Sequence, residues 1–344
     1  MGWWQTQRLV TAVLLGSAVC GCRSRAAPTP SEVAPATGAV PPSYRVVHGW
    51  PHVPRGELLG QVSGVGIVAQ GDVLVFRRAS RGWLSSSDTL STEPITEPTI
   101  LRFNAETGEL VAAWGARQFA MPHGLSVDHQ GNVWLTDVAL HQVFKLDPDG
   151  RQLLTFGQRG VPGSDRTHFD RPTDVAQGPN GSIYVSDGYR NTRVIQFGPA
   201  GAFIRQWGQP GSAPGQFNVP HGIAVDTAGR VYVADRGNAR IQVFDSTGRF
   251  LAVWRGASLG RPWAIRVGPD GFIYVVDGGD QPQHGPDRAR VLKLSPTGEI
   301  VAAFGAFGNY DGQFVWPHCL AVASDGSVYV GDVATGRRIQ KFVP

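Results

Sequence analysis

The stretch "PHGIAVDTAGRVYVADRGNARIQVFDSTGRFLAVW" (residues 220–254) contains four short apolar runs separated by polar, glycine-containing segments. The runs are rich in β-branched and aromatic residues, and the segments between them carry Asp, Asn, Ser, Thr and Gly. This combination is typical of antiparallel hairpins, because those residues adopt the backbone conformations that tight turns need. The stretch therefore predicts a small sheet of four antiparallel strands.

The same pattern recurs along the chain. Similar stretches begin at Pro122, Pro172, Pro262 and Pro317, and a more divergent first copy begins at Val62. Self-similarity with a period of about 50 residues indicates four-stranded units arranged around an axis. Six copies predict an all-β protein, a six-bladed β-propeller, and the pattern resembles NHL repeats.

The two ends of the repeat region complement each other. The last copy stops after its third strand, "RIQKFVP" (338–344), whereas "SYRVVHGW" (43–50) resembles the fourth strands of the other copies. We expect this N-terminal strand to complete the last blade, since ring closure removes an open sheet edge. Residues 44–344 are thus predicted to form one propeller domain.

The N-terminal residues have a different composition. Residues 1–22 contain one Arg, an apolar run and small residues, which is typical of a secretory signal peptide. Their ending, "VCGC", resembles a bacterial lipoprotein box with Cys22 as the lipidated residue. Residues 23–43 are rich in Pro, Ala and Ser and predict a flexible tether. We expect an exported protein held by a lipid anchor, facing the periplasm or the cell surface, with secretion as the alternative.

Composition restricts the possible partners. The net charge is +4, but Lys and Arg are scattered rather than clustered, so we expect no nucleic-acid partner. Two of the three cysteines lie in the predicted signal peptide, leaving Cys319 and no internal disulfide. We expect membrane contact only through the lipid anchor, and a monomer.

A histidine occupies one repeat position in every second copy. In a propeller the first strand of each copy starts near the central axis. At that position the even copies carry His123, His221 and His318. The odd copies carry Ser63, Thr173 and Trp263. Three imidazoles that converge and leave a fourth position open are typical of catalytic zinc. The alternative is that Pro-His only follows the repeat consensus, but two odd copies keep the proline without the histidine.

A second set of polar residues follows the second strand of each copy. Four copies have Asp followed by a small or apolar residue there, whereas Arg78 and Arg236 occupy matching places in the first and fourth copies. These blades lie opposite each other, so both guanidinium groups can approach one carboxylate. Two solvated surface charges are the alternative. Tyr189, in the third copy at nearly the same level, is a candidate proton-transfer group. For the recurring aspartates we expect turn and inter-blade hydrogen bonds.

Several longer motifs point to one enzyme family. They are "GQVSGV" (60–65), "PHGLSVD" (122–128), "TDVALHQVFKLDP" (136–148), "SDGY" (186–189) and "PGQF" (214–217). With them, residues from about 60 to 344 resemble the peptidyl-α-hydroxyglycine α-amidating lyases, the second catalytic half of the animal peptide-amidating enzyme. The resemblance implies a zinc lyase with three histidines, two arginines and a tyrosine in its site. Matched by position, these are His123, His221, His318, Arg78, Arg236 and Tyr189.

The chain departs from that family at two positions. The resemblance implies a structural calcium held by an aspartate and by backbone carbonyls that correspond to Val65 and Leu125. Cys319 stands where the aspartate is expected, and a soft thiol suits calcium poorly, which speaks against calcium here. Trp316 replaces a family methionine near the substrate, so we expect a pocket of different shape.

The resemblance implies cleavage of an N-acyl α-hydroxyglycine, a carbinolamide, into an amide and glyoxylate. We expect zinc to bind the hydroxyl oxygen, Tyr189 to remove its proton, and Arg78 and Arg236 to hold the carboxylate. We expect the substrate to be a peptide or a small N-acyl or ureido α-hydroxy acid that is formed elsewhere. The alternatives are a propeller hydrolase of lactonase type, which would use calcium, and a non-catalytic NHL propeller that serves as a binding module at the cell surface.

Overall fold

The computed structural model describes residues 1–2, 31–32, 44–83, 89–279 and 288–344. Apart from residues 1–2 and 31–32, the predicted signal peptide (1–22) and tether (23–43) lie outside the described residues. Export and lipidation at Cys22 therefore stay predictions.

Six four-stranded antiparallel units surround one axis, which confirms the six-bladed propeller. From the axis outwards, the strands are Val62–Ile67, Val73–Arg77, Ile100–Phe103 and Leu110–Trp114 in blade 1; Pro122–Val127, Val133–Asp137, Gln142–Leu146 and Gln152–Phe156 in blade 2; and Pro172–Gln177, Ile183–Asp187, Arg193–Phe197 and Phe203–Trp207 in blade 3. They continue as Pro220–Val225, Val231–Asp235, Arg240–Phe244 and Phe250–Arg255 in blade 4; Pro262–Val267, Ile273–Asp277, Arg290–Leu294 and Ile300–Phe304 in blade 5; and Pro317–Val322, Val328–Asp332, Ile339–Val343 and Arg45–Val46 in blade 6. The innermost strands of neighbouring blades contact one another all round the ring.

The N-terminal strand closes the ring as the sequence predicts. Arg45–Val46 pairs antiparallel with Ile339–Val343, although this strand is shorter than the stretch 43–50. Beyond it, the buried Trp50 packs between the first and last blades, with ring centroids 6.2 Å from Phe103 and 4.9 Å from Tyr329. Strand pairing and aromatic packing thus both join the two ends of the propeller.

A few small elements lie outside the blade pattern. Ser31–Glu32 pairs in parallel with the outer strand of blade 4, and Ala306–Phe307 pairs with Gln313–Phe314. A 3-10 helix, Arg236–Asn238, follows the second strand of blade 4. Across the described ranges, no helix is both long and apolar enough to cross a membrane.

The recurring aspartates fix the entry to the inner strands of blades 2 to 6. Asp137, fully buried, accepts hydrogen bonds from the backbone amides of Ala120 and Met121 at 2.7 and 2.9 Å, just before the inner strand of blade 2. Asp235 does the same for Asn218 in blade 4, at 2.7 Å. Each carboxylate satisfies amides that the sheet leaves unpaired. These bonds hold the start of the inner strand, which is where the histidines lie.

Candidate metal centre and active site

Three buried histidines meet on the propeller axis. His123, His221 and His318 are the second residues of the inner strands of blades 2, 4 and 6. They are 1%, 2% and 4% exposed, and one ring nitrogen of each lies within 4.8 Å of the other two. The structure thus brings together three side chains that are about a hundred residues apart in sequence, a distance that follows from two repeats of about 50 residues.

Backbone carbonyls of the odd blades orient these imidazoles. The Nδ1 of His123 lies 2.6 Å from the carbonyl oxygen of Thr173, and that of His221 lies 2.6 Å from the carbonyl of Trp263. The Nδ1 of His318 lies 3.0 Å from the carbonyl of Ser63. Since a carbonyl only accepts, each Nδ1 carries the proton and each Nε2 keeps a lone pair for another partner.

Glycine allows the blades to approach closely enough for these bonds. A Cβ atom at Gly124 would lie 2.7 Å from the carbonyl oxygen of Thr173, and one at Gly222 would lie 3.0 Å from that of Trp263. Both distances are too short for ordinary packing, so the residue after the histidine must be small. In blade 6 this residue is Cys319, whose Sγ lies 3.6 Å from the carbonyl of Val62.

The environment keeps the three imidazoles neutral. Burial lowers the pKa of each well below 6.5. The positive charge of Arg236 acts in the same direction on all three, and that of Arg78 acts so on His123 and His318. A histidine binds metal through an unprotonated nitrogen, so a lowered pKa favours ligation at neutral pH. Three buried neutral nitrogens facing one point can hold a metal ion.

Tyr189 lies against this centre. It follows the second strand of blade 3, and its hydroxyl lies 3.0 Å from Nε2 of both His123 and His221. Its ring packs against Trp83, with centroids 4.9 Å apart. The hydroxyl therefore lies next to whatever group the two nitrogens bind.

The two arginines reach the same place from opposite blades. Arg236 places Nη1 3.5 Å from the Tyr189 hydroxyl, and its guanidinium lies 4.2 Å from the ring centroid of Trp263. Arg78 is 2% exposed, so it is not a solvated surface charge. Its Nε donates to the carbonyl of Pro122 and its Nη1 to Oε1 of Gln61, at 2.9 and 2.7 Å.

One nitrogen of Arg78 is left without a partner. Nη2 is buried and makes no hydrogen bond within the described part of the chain. Burial lowers the pKa of Arg78 to about 10, which still leaves the group charged at neutral pH. Leaving a buried donor unsatisfied costs about 1–3 kcal/mol, and more when the group is charged. An anionic ligand in the site would satisfy it.

Sequence reasoning missed the residues that line these groups. Trp83 lies between the second and third strands of blade 1, and the Arg78 guanidinium lies 4.9 Å from the centroid of its ring. Because this loop is longer than its counterparts in the other copies, the repeat gives no register for it. Gln61 belongs to the motif "GQVSGV", which was the one signal available. Trp316, which the sequence did single out, packs on Trp263 with centroids 5.5 Å apart.

The residues at the expected calcium position do not fit calcium. The carbonyl oxygen of Leu125 accepts a hydrogen bond from Nη2 of Arg266 at 2.8 Å, so a cationic group already contacts it. Burial raises the pKa of the Cys319 thiol, which therefore stays protonated. Val65 is buried in the inner strand of blade 1. A protonated thiol and a carbonyl bonded to a guanidinium do not provide hard anionic oxygen ligands.

Comparisons with known proteins agree with the predicted repeat. The NHL repeat model matches residues 169–197 and 217–244. Peptidylglycine alpha-amidating monooxygenase of Rattus norvegicus is 42% identical over 307 residues, covering 83% of this chain and 30% of that protein. This chain therefore spans less than a third of the rat protein.

A solved structure shares the fold, and a second relative matches over most of its own length. A gluconolactonase of Xanthomonas campestris superposes with a TM-score of 0.58 at 14% identity, covering 92% of this chain and 98% of that one, which shows the fold alone. Peptidyl-alpha-hydroxyglycine alpha-amidating lyase 2 of Drosophila melanogaster is 33% identical over 330 residues, covering 90% of this chain and 78% of that protein. With this identity and coverage, the chain belongs to the peptidyl-α-hydroxyglycine α-amidating lyase family.

Proposed function

We propose that this protein is a zinc-dependent lyase that cleaves an N-acyl α-hydroxyglycine into a primary amide and glyoxylate. The observation that carries the proposal is the position of the Tyr189 hydroxyl, 3.0 Å from Nε2 of both His123 and His221. A proton-transfer group beside a metal centre, with an arginine on either side, suits a substrate that has a hydroxyl and a carboxylate on one carbon.

The donor set favours zinc. Three neutral imidazole nitrogens with room for a further ligand are typical of catalytic zinc sites, whereas calcium prefers oxygen. Zinc held by His123, His221 and His318 would supply Lewis-acid stabilisation of the negative charge that develops on the substrate hydroxyl oxygen.

The arginines account for the carboxylate. Arg78 offers a buried N–H with no partner among the described residues, and Arg236 extends from the opposite blade. In a buried site these charge-assisted hydrogen bonds are stronger than in water, so they both neutralise and orient the carboxylate. A carboxylate held this way directs the adjacent hydroxyl towards Tyr189.

Tyr189 moves the proton that the cleavage requires. The phenolate form accepts the proton of the substrate hydroxyl, and Nη1 of Arg236, 3.5 Å from the phenol oxygen, donates a hydrogen bond to that oxygen. As the carbonyl of glyoxylate forms, the carbon–nitrogen bond breaks and its electron pair moves to nitrogen. Tyr189 then returns the proton to nitrogen, and the neutral amide leaves. One proton passes from oxygen to nitrogen, and no other reactant is consumed.

Aromatic side chains form the walls around the reacting groups. Trp83 packs on Tyr189 from one side, and Trp263 and Trp316 pack together on the other. Apolar walls exclude water and strengthen the electrostatic contacts inside. They also suit the acyl part of the substrate, either a peptide or a small N-acyl or ureido group, and an α-hydroxylating reaction must supply that substrate.

Product analysis tests the proposal. Zinc-loaded protein is incubated with α-hydroxyhippurate, and benzamide and glyoxylate are measured separately. We expect equal amounts of the two products, loss of activity with a chelator, and recovery when zinc is added back. Zinc-loaded protein that releases no glyoxylate contradicts the lyase. Calcium-dependent hydrolysis of a lactone would instead support the hydrolase, and neither metal nor turnover would support a binding module.

A further inference from the structure

An ion pair lies on the axis, further along the inner strands than the histidines. Arg266 of blade 5 and Asp174 of blade 3 form two parallel contacts, Nη1 to Oδ2 at 2.7 Å and Nη2 to Oδ1 at 3.2 Å. The side chains are 16% and 6% exposed. This is the bidentate geometry in which guanidinium and carboxylate interact most strongly.

The same guanidinium also contacts backbone carbonyls of other blades. It donates to Leu125 of blade 2 at 2.8 Å, to Ile223 of blade 4 at 3.4 Å, and to Ile265 of its own strand at 2.8 Å. One side chain thus joins the inner strands of blades 2, 3, 4 and 5. Only at the axis do the inner strands of several blades lie close enough for one side chain to contact them all.

These contacts adjoin the residues that orient the histidines. Leu125 lies two residues after His123, and Ile223 lies two residues after His221. Asp174 directly follows Thr173, whose carbonyl accepts from Nδ1 of His123. Asp174 also accepts a hydrogen bond from the amide of Ile223 at 3.2 Å, so the carboxylate joins blades 3 and 4 as well.

Arg266 lies between two cavities along the axis. Arg266 contributes to the small cavity beneath the histidines and to a cavity of about 420 Å³ on the opposite face of the propeller. Burial of the guanidinium is outweighed by the Asp174 carboxylate, which raises the pKa of Arg266. The charge is therefore permanent, and a divalent cation placed beside it would be repelled.

We infer that the Arg266–Asp174 pair takes the place of a structural metal ion on the axis, positioning the inner strands that carry the histidines and making this centre independent of calcium. Arg266 acts as a positioning residue, since it contacts none of the three imidazoles directly. The inference rests on the proposed metal site only for its spectroscopic test, and calcium independence of stability can be measured without any enzymatic activity.

Thermal unfolding provides the first test. Full-length, zinc-loaded protein is dialysed free of calcium and unfolded with and without millimolar calcium chloride. We expect the same Tm in both conditions, and a rise of several degrees with calcium overturns the inference. A variant that combines Arg266→Ala with Cys319→Asp frees the carbonyl oxygens and adds a carboxylate, so that oxygen ligands for calcium become available. We expect this variant to unfold at a lower temperature without calcium and to regain stability with it, and no response to calcium contradicts the proposed equivalence.

Cobalt substitution separates positioning from general stability. Arg266→Met is compared with Arg102→Met, which breaks an ion pair of similar burial inside blade 1, between Arg102 and Asp72 at 2.8 Å. We expect both variants to lose stability, but only Arg266→Met to alter the visible spectrum of bound cobalt and to weaken cobalt binding about 10–100-fold. Should Arg266→Met not fold, Arg266→Lys takes its place, because it keeps the charge but not the fork. Cobalt spectra and affinities that match the wild type would overturn the inference.

Discussion

The even and odd blades use one repeat position in two different ways. In blades 2, 4 and 6 the second residue of the inner strand points an imidazole at the axis. In blades 1, 3 and 5 the equivalent residue offers its backbone carbonyl to the imidazole of the preceding blade. Each histidine and its acceptor therefore come from adjacent blades, so the centre depends on how neighbouring blades pack.

The orientation of His318 also depends on closure of the ring. His318 is in the last blade and its acceptor, Ser63, is in the first, 255 residues apart in sequence. Orientation of the third histidine therefore requires that the first and last blades pack together, and the N-terminal strand and Trp50 help to join them. A duplicated scaffold thus produces a centre that forms only in the complete ring.

Removing the imidazole of an even blade should impair zinc binding and catalysis more than any other change. His221→Ala leaves two nitrogen ligands, so we expect loss of bound zinc and at least about a thousandfold slower glyoxylate release, because metal catalysis supplies several kcal/mol. Zinc per chain and the rate are measured together. Thr173→Ser, at an odd blade, keeps the backbone carbonyl and the hydroxyl and serves as the control. Normal turnover in His221→Ala would show that the histidines do not hold the catalytic metal.

The proton-transfer group is tested without disturbing the metal. Tyr189→Phe keeps the ring and its packing on Trp83 but removes the hydroxyl. We expect kcat to fall about 10²–10⁴-fold, the usual contribution of general acid–base catalysis, while zinc content stays at the wild-type level. An unchanged kcat would exclude Tyr189 as the group that moves the proton.

The buried arginine should affect substrate recognition. Arg78→Met removes the charge and the free N–H, and a hydrogen bond to a charged group contributes about 1.5–3 kcal/mol. We expect kcat/KM for α-hydroxyhippurate to fall about 10–150-fold with zinc retained. Arg102→Met, far from the site in the same blade, is the matched control. If Arg78→Met binds and cleaves the substrate as the wild type does, Arg78 does not hold the carboxylate.

Displacing the backbone carbonyl that an odd blade offers to a histidine should have a smaller effect, and it tests the role of the odd blades. Gly222→Ala places a Cβ about 3.0 Å from the carbonyl oxygen of Trp263 and should displace the acceptor of His221. We expect zinc affinity to fall about tenfold, as for other groups that orient metal ligands. Ser63→Ala removes a side chain but no carbonyl, so its zinc affinity should stay within about threefold of the wild type. A larger loss of zinc affinity in Ser63→Ala than in Gly222→Ala would show that the side chains of the odd blades, and not their backbone carbonyls, support the centre.

The sequence predicted those features that follow from the position of a residue within the repeat. Six copies and their turn residues indicated the propeller, and the alternation at the Pro-His position placed His123, His221 and His318 around one axis. Carbonyl acceptors escaped prediction because any residue type supplies a carbonyl. Trp83 escaped because its loop is longer than the equivalent loops of the other copies, so the repeat does not place it. The contacts of Arg266 with four blades depend on side-chain reach across the axis, which no spacing along the chain reports.

Zinc dependence is tested by titrating metal-free protein with zinc and measuring the release of benzamide and glyoxylate from α-hydroxyhippurate at each step. We expect both products to appear in equal amounts, and the rate to rise linearly until one zinc is bound per chain and then to stay constant. Full activity without zinc, or one bound zinc with no glyoxylate, would contradict the proposed zinc-dependent cleavage.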